Sequence, residues 1–104
     1  MKIELLYSPG CPNHEFAKDV IKDVLDEENI QENINLVEVR NQAEAEQWKF
    51  IGSPTVRVDE QDIEDLSNAR HDYNVRCRIY ESDTGISGFP SRDQVRKAIR
   101  SARK

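Results

Sequence analysis

An apolar run near the start of the chain passes through a proline-rich turn into an amphipathic segment. Residues 2–7 form a near-continuous apolar run, which predicts a central strand that is covered on both faces. Over residues 16–25 the apolar side chains recur at helical spacing, which predicts a helix. Pro12 stands where the first helical residue is expected, and that position tolerates proline. The sequence therefore predicts a strand–turn–helix unit with Cys11 in the turn.

The rest of the chain continues the alternation of strands and helices. Apolar runs predict strands over 34–40, 55–58 and 75–80, while 59–74 has no clear pattern. Two pairs that resemble capping boxes, Asn41 with Glu44 and Ser91 with Gln94, predict the starts of two helices. Gly52 is the predicted stop of the first of these helices. The predicted order is βαβαββα, and the handedness of βαβ crossovers makes its first two strands parallel.

Composition limits the partners of this chain. It has 104 residues, which predicts a single domain over 1–104, and its net charge of −5 argues against nucleic acid as a partner. The sequence shows neither a membrane-spanning apolar stretch nor a secretory signal, so the cytoplasm is the expected compartment. In a reducing compartment two cysteines indicate redox, nucleophilic or metal chemistry, or a buried thiol, more than a structural disulfide.

The charge is unevenly distributed along the chain. Residues 92–104 carry a net charge of +5, so residues 1–91 carry −10. One interpretation is a solvated terminal helix whose cations favour the negative end of the helix dipole. The other is a docking surface for an acidic partner.

Cys11 is the principal candidate for chemistry. The thiolate is the reactive form of cysteine, and the unpaired N–H groups at a helix N-terminus favour it. His14 lies one helical turn later, where an imidazolium would favour the thiolate and a neutral ring could transfer a proton. The opposing hypothesis is an inert cysteine in a site that has lost its activity.

Two segments carry a resemblance to a known family. Tyr-Ser-Pro-Gly-Cys-Pro-Asn-His over residues 7–14 and Gly-Ser-Pro-Thr over 52–55 resemble the active-site signature of the thioredoxin-like superfamily. Cys-Arg-Ile-Tyr over 77–80 and the glycines and proline after it are similar to a group of small single-domain thioredoxin-like proteins. The resemblance implies an α/β fold with a mixed four-stranded sheet, order 2-1-3-4, a third strand antiparallel to the first, and helices on both faces.

The resemblance also implies roles for individual residues. Pro12 and the 53–55 segment correspond to the substrate-binding part of the site. Pro54 would follow a cis bond and lie against Cys11, the backbone of Ser53 would pair with an extended substrate, and Thr55 would begin the third strand. Dithiol members carry a second cysteine three residues after the first, where this chain has His14. The implied activity is therefore of the monothiol type.

Cys77 has two interpretations. Alternation over 75–80 places it on one face with Val75 and Ile79, which predicts a buried core thiol. As a second thiol it would instead act as a distal partner of Cys11. The predicted topology disfavours a disulfide, because it places Cys77 away from the sheet end that carries Cys11, and bonded cysteines need Cα atoms within about 7 Å.

Three functions follow from these residues. The first is thiol–disulfide exchange or thiol adduct chemistry at Cys11, with a protein or small-molecule thiol or disulfide as partner and with a monothiol oxidoreductase as the corresponding enzyme class. The second is a non-catalytic binding module that uses the groove beside Pro54. The third is capture of a soft metal or organometal by Cys11 with Cys77 or His14, although two ligands are too few for a closed zinc site. No resident metal, cofactor, membrane or oligomeric state is predicted.

Overall fold

A mixed four-stranded sheet and three helices form the described part of the computed structural model, which comprises residues 1–64, 72–82 and 85–103. The strands of this sheet are β1 (Ile3–Tyr7), β2 (Ile34–Glu38), β3 (Thr55–Val58) and β4 (Gln61–Asp62). A separate hairpin consists of β5 (Tyr80–Ser82) and β6 (Gly85–Ser87). The helices are α1 (Asn13–Glu27), α2 (Gln42–Trp48) and α3 (Arg92–Ala102).

The order of the strands agrees with the sequence-based prediction. The sheet runs β2-β1-β3-β4, with β1 parallel to β2 and antiparallel to β3. At the centre of the register, Leu5 lies opposite Leu36 of β2 and opposite Val56 of β3. The α/β class, the 2-1-3-4 order and the direction of the third strand are therefore confirmed.

Helices cover both faces of the sheet because side chains alternate along β1. Ile3 and Leu5 belong to a core cluster with residues of α1 and α3, whereas Leu6 belongs to a second cluster with Ala45 of α2. The aliphatic side chains of β1, which are Ile3, Leu5 and Leu6, are fully buried, as the near-continuous apolar run predicts. The carboxyl end of β1 is therefore held in the core, and this fixes where the turn that follows it begins.

The predicted fourth strand over 75–80 is wrong. The fourth strand of the sheet is β4, which lies in the stretch that had no clear pattern, of which residues 65–71 are outside the described residues. Asp59 and Glu60 both adopt left-handed backbone angles, with φ of 51° and 70°, and a two-residue turn of this kind reverses the chain directly after β3. Residues 75–79 contribute one isolated bridge, between Cys77 and Ser53, and Tyr80 belongs to the β5–β6 hairpin.

Two helix boundaries differ from the prediction. Pro12 is the residue that precedes α1 and not its first helical residue. The end of α2 comes at Trp48, where Lys49 takes the left-handed conformation with φ of 53°, so Gly52 is not the helix stop. A left-handed residue after the last turn satisfies the final carbonyls of a helix, and here lysine adopts that conformation.

The two predicted capping boxes have different outcomes. At α3 the box is complete, because Ser91 Oγ accepts from Gln94 N at 3.2 Å and Gln94 Oε1 accepts from Ser91 N at 2.9 Å. At α2, Asn41 Oδ1 accepts from Glu44 N at 2.9 Å. The Glu44 carboxylate accepts instead from Arg40 N at 2.8 Å, so this second cap is only half a box.

The basic terminal helix faces acidic residues of α1. Arg92 binds Asp23 at 2.7 Å, and Arg96 binds Glu27 at 2.6 Å. Glu28 accepts from two further arginines of this segment, Arg100 at 2.9 Å and Arg103 at 3.4 Å. These pairs favour a solvated terminal helix over a docking surface for an acidic partner, because the arginines of this segment already have acidic partners within the chain.

None of the helices in the described ranges has the length and apolar character that crossing a membrane requires.

Candidate functional site

Cys11 lies in the turn between the central strand β1 and helix α1. Cys11 N donates to Ser8 O at 3.2 Å, and Gly10 takes a left-handed conformation with φ of 80°, which glycine adopts without strain. Pro12 provides no side-chain cap for α1, so the first N–H groups of this helix lack one. Only 5% of the Cys11 surface is exposed.

The Ser53–Pro54–Thr55 segment lies beside this turn, directly before β3. Ser53 Oγ accepts from Ser8 N at 3.1 Å, which joins the segment to the turn that holds Cys11. The Ser53–Pro54 bond is cis, as predicted. Thr55 begins β3, also as predicted, and its hydroxyl donates to Gly52 O at 2.5 Å. The structure thus brings the two predicted halves of the site together.

His14 supports the main chain of Cys11. Its Nδ1 lies 2.6 Å from Cys11 O, and because a carbonyl only accepts, Nδ1 carries the proton. The ring stacks on Tyr7 with centroids 4.3 Å apart, and Nε2 lies 3.1 Å from Glu15 Oε1. His14 is therefore positioned one turn after Cys11 as expected, but its hydrogen bond is to the carbonyl of that residue.

The backbone of Ser53 is already paired with another segment of the chain. Ser53 N donates to Arg76 O at 2.7 Å, and Arg78 N donates to Ser53 O at 3.0 Å. This is a parallel bridge with Cys77 directly opposite Ser53. A substrate strand that pairs with Ser53 would have to displace this segment first.

The prediction that Cys77 is a buried core thiol is wrong. Cys77 is exposed, and its neighbour on the same face, Ile79, is 65% exposed. The buried side chains of this segment are Arg78 and Tyr80, which the alternation had assigned to the outer face. The prediction that the topology places Cys77 away from the sheet end that carries Cys11 also fails, because Cys77 is bridged to Ser53, and Ser53 binds the turn that holds Cys11.

A buried ion cluster explains why the Arg78 side chain points inward. Arg78 donates to both oxygens of Asp62, at 2.7 and 2.8 Å, and to Glu64 at 2.8 Å. A guanidinium matches a carboxylate in this two-bond geometry, so the buried charge is compensated. Although burial disfavours its charged form, these bonds raise the pKa of Arg78 above its ordinary value. Asp62 and Glu64 stand in an acidic stretch of the sequence directly after β3. Their pairing with Arg78 of the Cys-Arg-Ile-Tyr segment is the signal that sequence reasoning missed.

Tyr80 completes the attachment of this segment. Its hydroxyl donates to Pro54 O at 2.6 Å, and its ring lies 4.3 Å from the Arg78 guanidinium carbon. Burial raises the pKa of the Tyr80 hydroxyl, so the neutral donor form is retained. The segment over 76–80 is therefore fixed to the residues on either side of the Ser53–Pro54 bond.

A metal site has no support among the residues that the structure describes. Within 1–64, 72–82 and 85–103, no three His, Cys, Asp or Glu side chains lie close enough together to hold an ion. His71, the second histidine of the chain, lies outside these ranges.

Comparison with known proteins adds no family assignment. No protein-family model, curated protein or solved structure matches the chain. A functional conclusion therefore depends on the arrangement around Cys11 and on the chemistry of its neighbours.

Proposed function

We propose that the chain is a thioredoxin-like protein that performs thiol–disulfide exchange through Cys11. One observation carries the proposal: Cys11 lies at the junction of the central strand and α1, in a turn bonded to Ser53 just before β3. The sheet order and strand directions support the family assignment. The sequence adds the residue types that exchange chemistry requires.

The exchange would proceed in two displacement steps. The Cys11 thiolate attacks one sulfur of a disulfide, forms a mixed disulfide with it, and releases the other sulfur as a thiolate. A second thiol then attacks the sulfur of the bound group, forms a new disulfide with it, and releases Cys11 as a thiolate. The uncapped N-terminus of α1 lies two residues after the sulfur, and the positive end of its dipole stabilises an anion there.

The surroundings of Cys11 favour a small-molecule disulfide over an extended polypeptide. Only 5% of Cys11 is exposed, and in-line attack requires a path to the sulfur that a compact reagent finds more easily. An extended polypeptide would also need the Ser53 backbone, whose N–H and C=O are bound by Arg76 and Arg78. A reducing compartment such as the cytoplasm would supply the thiols that regenerate the protein.

Intact-mass measurement with glutathione disulfide tests this proposal. In a Cys77→Ala variant Cys11 is the sole thiol, and we expect it to gain one glutathionyl group that excess reduced thiol removes. The matched Cys11→Ala variant reports the background reactivity of Cys77. A Cys11 that stays unmodified in the folded Cys77→Ala variant would reject exchange and favour the non-catalytic binding module.

A further inference from the structure

We propose that Cys77 is the resolving thiol for Cys11, so that exchange with a small disulfide ends in a Cys11–Cys77 disulfide. The inference rests on the proposed exchange at Cys11 and identifies its second thiol. The chain contains two cysteines, so Cys77 is the one residue that can play this part within a single molecule.

The backbone register places Cys77 at the site. Cys77 lies opposite Ser53 in a parallel bridge, and bridged backbones are about 4.8 Å apart. Residues directly opposite each other present their side chains on the same face, so Cys77 points to the side on which Ser53 Oγ binds Ser8 N at 3.1 Å. Ser8 in turn accepts the Cys11 N–H. The main chain of Ser53 therefore binds the residues on either side of Cys77, and its side chain binds the turn that holds Cys11.

The two thiols differ in exposure in the way that their proposed roles require. Cys11 is buried at the end of β1, whereas Cys77 is exposed in an irregular segment. The exposed thiol of Cys77 can approach a mixed disulfide that forms next to it.

Arg78 fixes the main chain next to Cys77, whose side chain is exposed. The guanidinium is fixed by Asp62 and Glu64, and the Arg78 N–H binds Ser53 O at 3.0 Å. Gly52 permits this close approach, because a Cβ at that position would lie 2.7 Å from Arg78 Cβ. A thiol held beside its target reacts at a high effective concentration, which makes internal resolution faster than attack by a dilute external thiol.

The proposed exchange transfers two electrons from the protein thiols to the disulfide reagent. The Cys11 thiolate attacks a disulfide RSSR, which gives Cys11–S–S–R and one RS⁻. The Cys77 thiolate then attacks Cys11 Sγ, which gives the Cys11–Cys77 bond and a second RS⁻. The two protein thiols are oxidised, RSSR is reduced to two thiols, and the protons lost by the cysteines are taken up by the released thiolates.

The test compares the lifetime of the mixed disulfide in three proteins at low concentration. Wild type, Cys77→Ser and the double variant Cys77→Ser/Ile79→Cys are treated with glutathione disulfide and followed by intact mass and disulfide mapping. We expect wild type to lose two hydrogens and to yield a Cys11–Cys77 peptide. In Cys77→Ser the glutathionyl adduct at Cys11 should persist at least about tenfold longer, because internal resolution is lost. The double variant carries an exposed thiol two residues away and should behave like Cys77→Ser. Circular dichroism verifies that each variant is folded.

The outcomes separate this inference from the proposed function. If Cys11 gains no glutathionyl group in wild type or Cys77→Ser and no disulfide forms, exchange at Cys11 is rejected, and the resolving role with it. If the adduct forms but lasts equally long in wild type and Cys77→Ser, exchange stands and the role of Cys77 is overturned. If the double variant loses its Cys11 adduct as fast as wild type does, the claim that resolution requires a thiol at position 77, opposite Ser53, is overturned.

Discussion

Arg78 and Asp62 form a buried ion pair joined by two parallel hydrogen bonds of 2.7 and 2.8 Å. Their side chains are 6% and 7% exposed. The pair connects β4, which follows directly on β3, to the segment that lies against Ser53. The position of Cys77 beside the site thus depends on a charge interaction between residues that are distant in sequence.

Substitution of Arg78 by methionine should destabilise the fold strongly. Removing one partner leaves Asp62 and Glu64 as buried or half-buried carboxylates without their cation, which costs about 3–5 kcal/mol. Denaturant unfolding measures the change. The matched control is Arg76→Met, since the ion pair of Arg76 with Asp72 is exposed and such pairs contribute about 0–1 kcal/mol. Equal losses for the two variants would contradict a stabilising role of the buried cluster.

Substitution of Gly52 by alanine should loosen the segment that carries Cys77. The added methyl group would lie 2.7 Å from Arg78 Cβ and 3.3 Å from Cys77 O, and overpacking of this kind costs about 1–3 kcal/mol. Because the Arg78 N–H binds Ser53 O, its hydrogen exchange reports the local opening. We expect faster exchange at Arg78 in the variant. Wild-type exchange at this amide would show that the segment is not in close contact with Gly52.

Acid should weaken the packing of α3 on α1. Hydrogen bonds from Arg96 and Arg100 lower the pKa of Glu27 and Glu28, respectively, below the ordinary value of 4.5. A lowered carboxyl pKa contributes stability that is present above the ordinary value and is lost as the pH falls through the lowered one. The melting temperature should therefore drop between about pH 5 and pH 3, and the drop should be smaller in Glu28→Gln. The control Glu46→Gln removes a carboxylate on α2 and should show the same acid-induced drop in melting temperature as wild type. A wild-type drop in Glu28→Gln as well would argue against a contribution of the Glu28–Arg100 pair.

Replacement of His14 by alanine should destabilise the turn that holds Cys11. The variant loses the hydrogen bond to Cys11 O, worth about 1 kcal/mol, and the stacking on Tyr7, worth about 0.5–1.5 kcal/mol. We expect a lower denaturant midpoint and slower disulfide exchange at Cys11, because its main chain is less well fixed. Glu15→Gln keeps the ring and its carbonyl bond, and should retain the wild-type exchange rate. Unchanged stability in His14→Ala would show that the ring does not support the turn.

Local periodicity was sufficient to predict most of the fold. Three features depend only on residues close together in the sequence, and each lies where the sequence predicts it: the buried run of β1, the apolar stripe of α1 and the Ser91–Gln94 cap. The turn that contains Cys11 followed from the same local signals. These elements fix the α/β class and the end of the sheet at which the candidate site lies.

The elements that the sequence failed to predict depend on interactions between distant residues. Asp59 and Glu60 form the turn into β4 without a glycine, so the usual marker of left-handed backbone was missing. The inward face of 76–80 was misassigned because arginine is rarely buried unless an acid compensates it, and Asp62 is remote in sequence. Cys77 was placed incorrectly as a consequence of that one error.

The rate at which Cys11 reacts with a chromogenic aromatic disulfide tests the central claim most directly. The measurement uses the Cys77→Ala variant, in which Cys11 is the sole thiol, and compares native protein with the same protein in denaturant at equal pH. We predict faster reaction in the native protein, because the proposal places the reactive sulfur at the start of α1, and helix N-termini favour anions. A native Cys11 that reacts more slowly than the unfolded one would contradict the proposal and identify a buried, inert thiol.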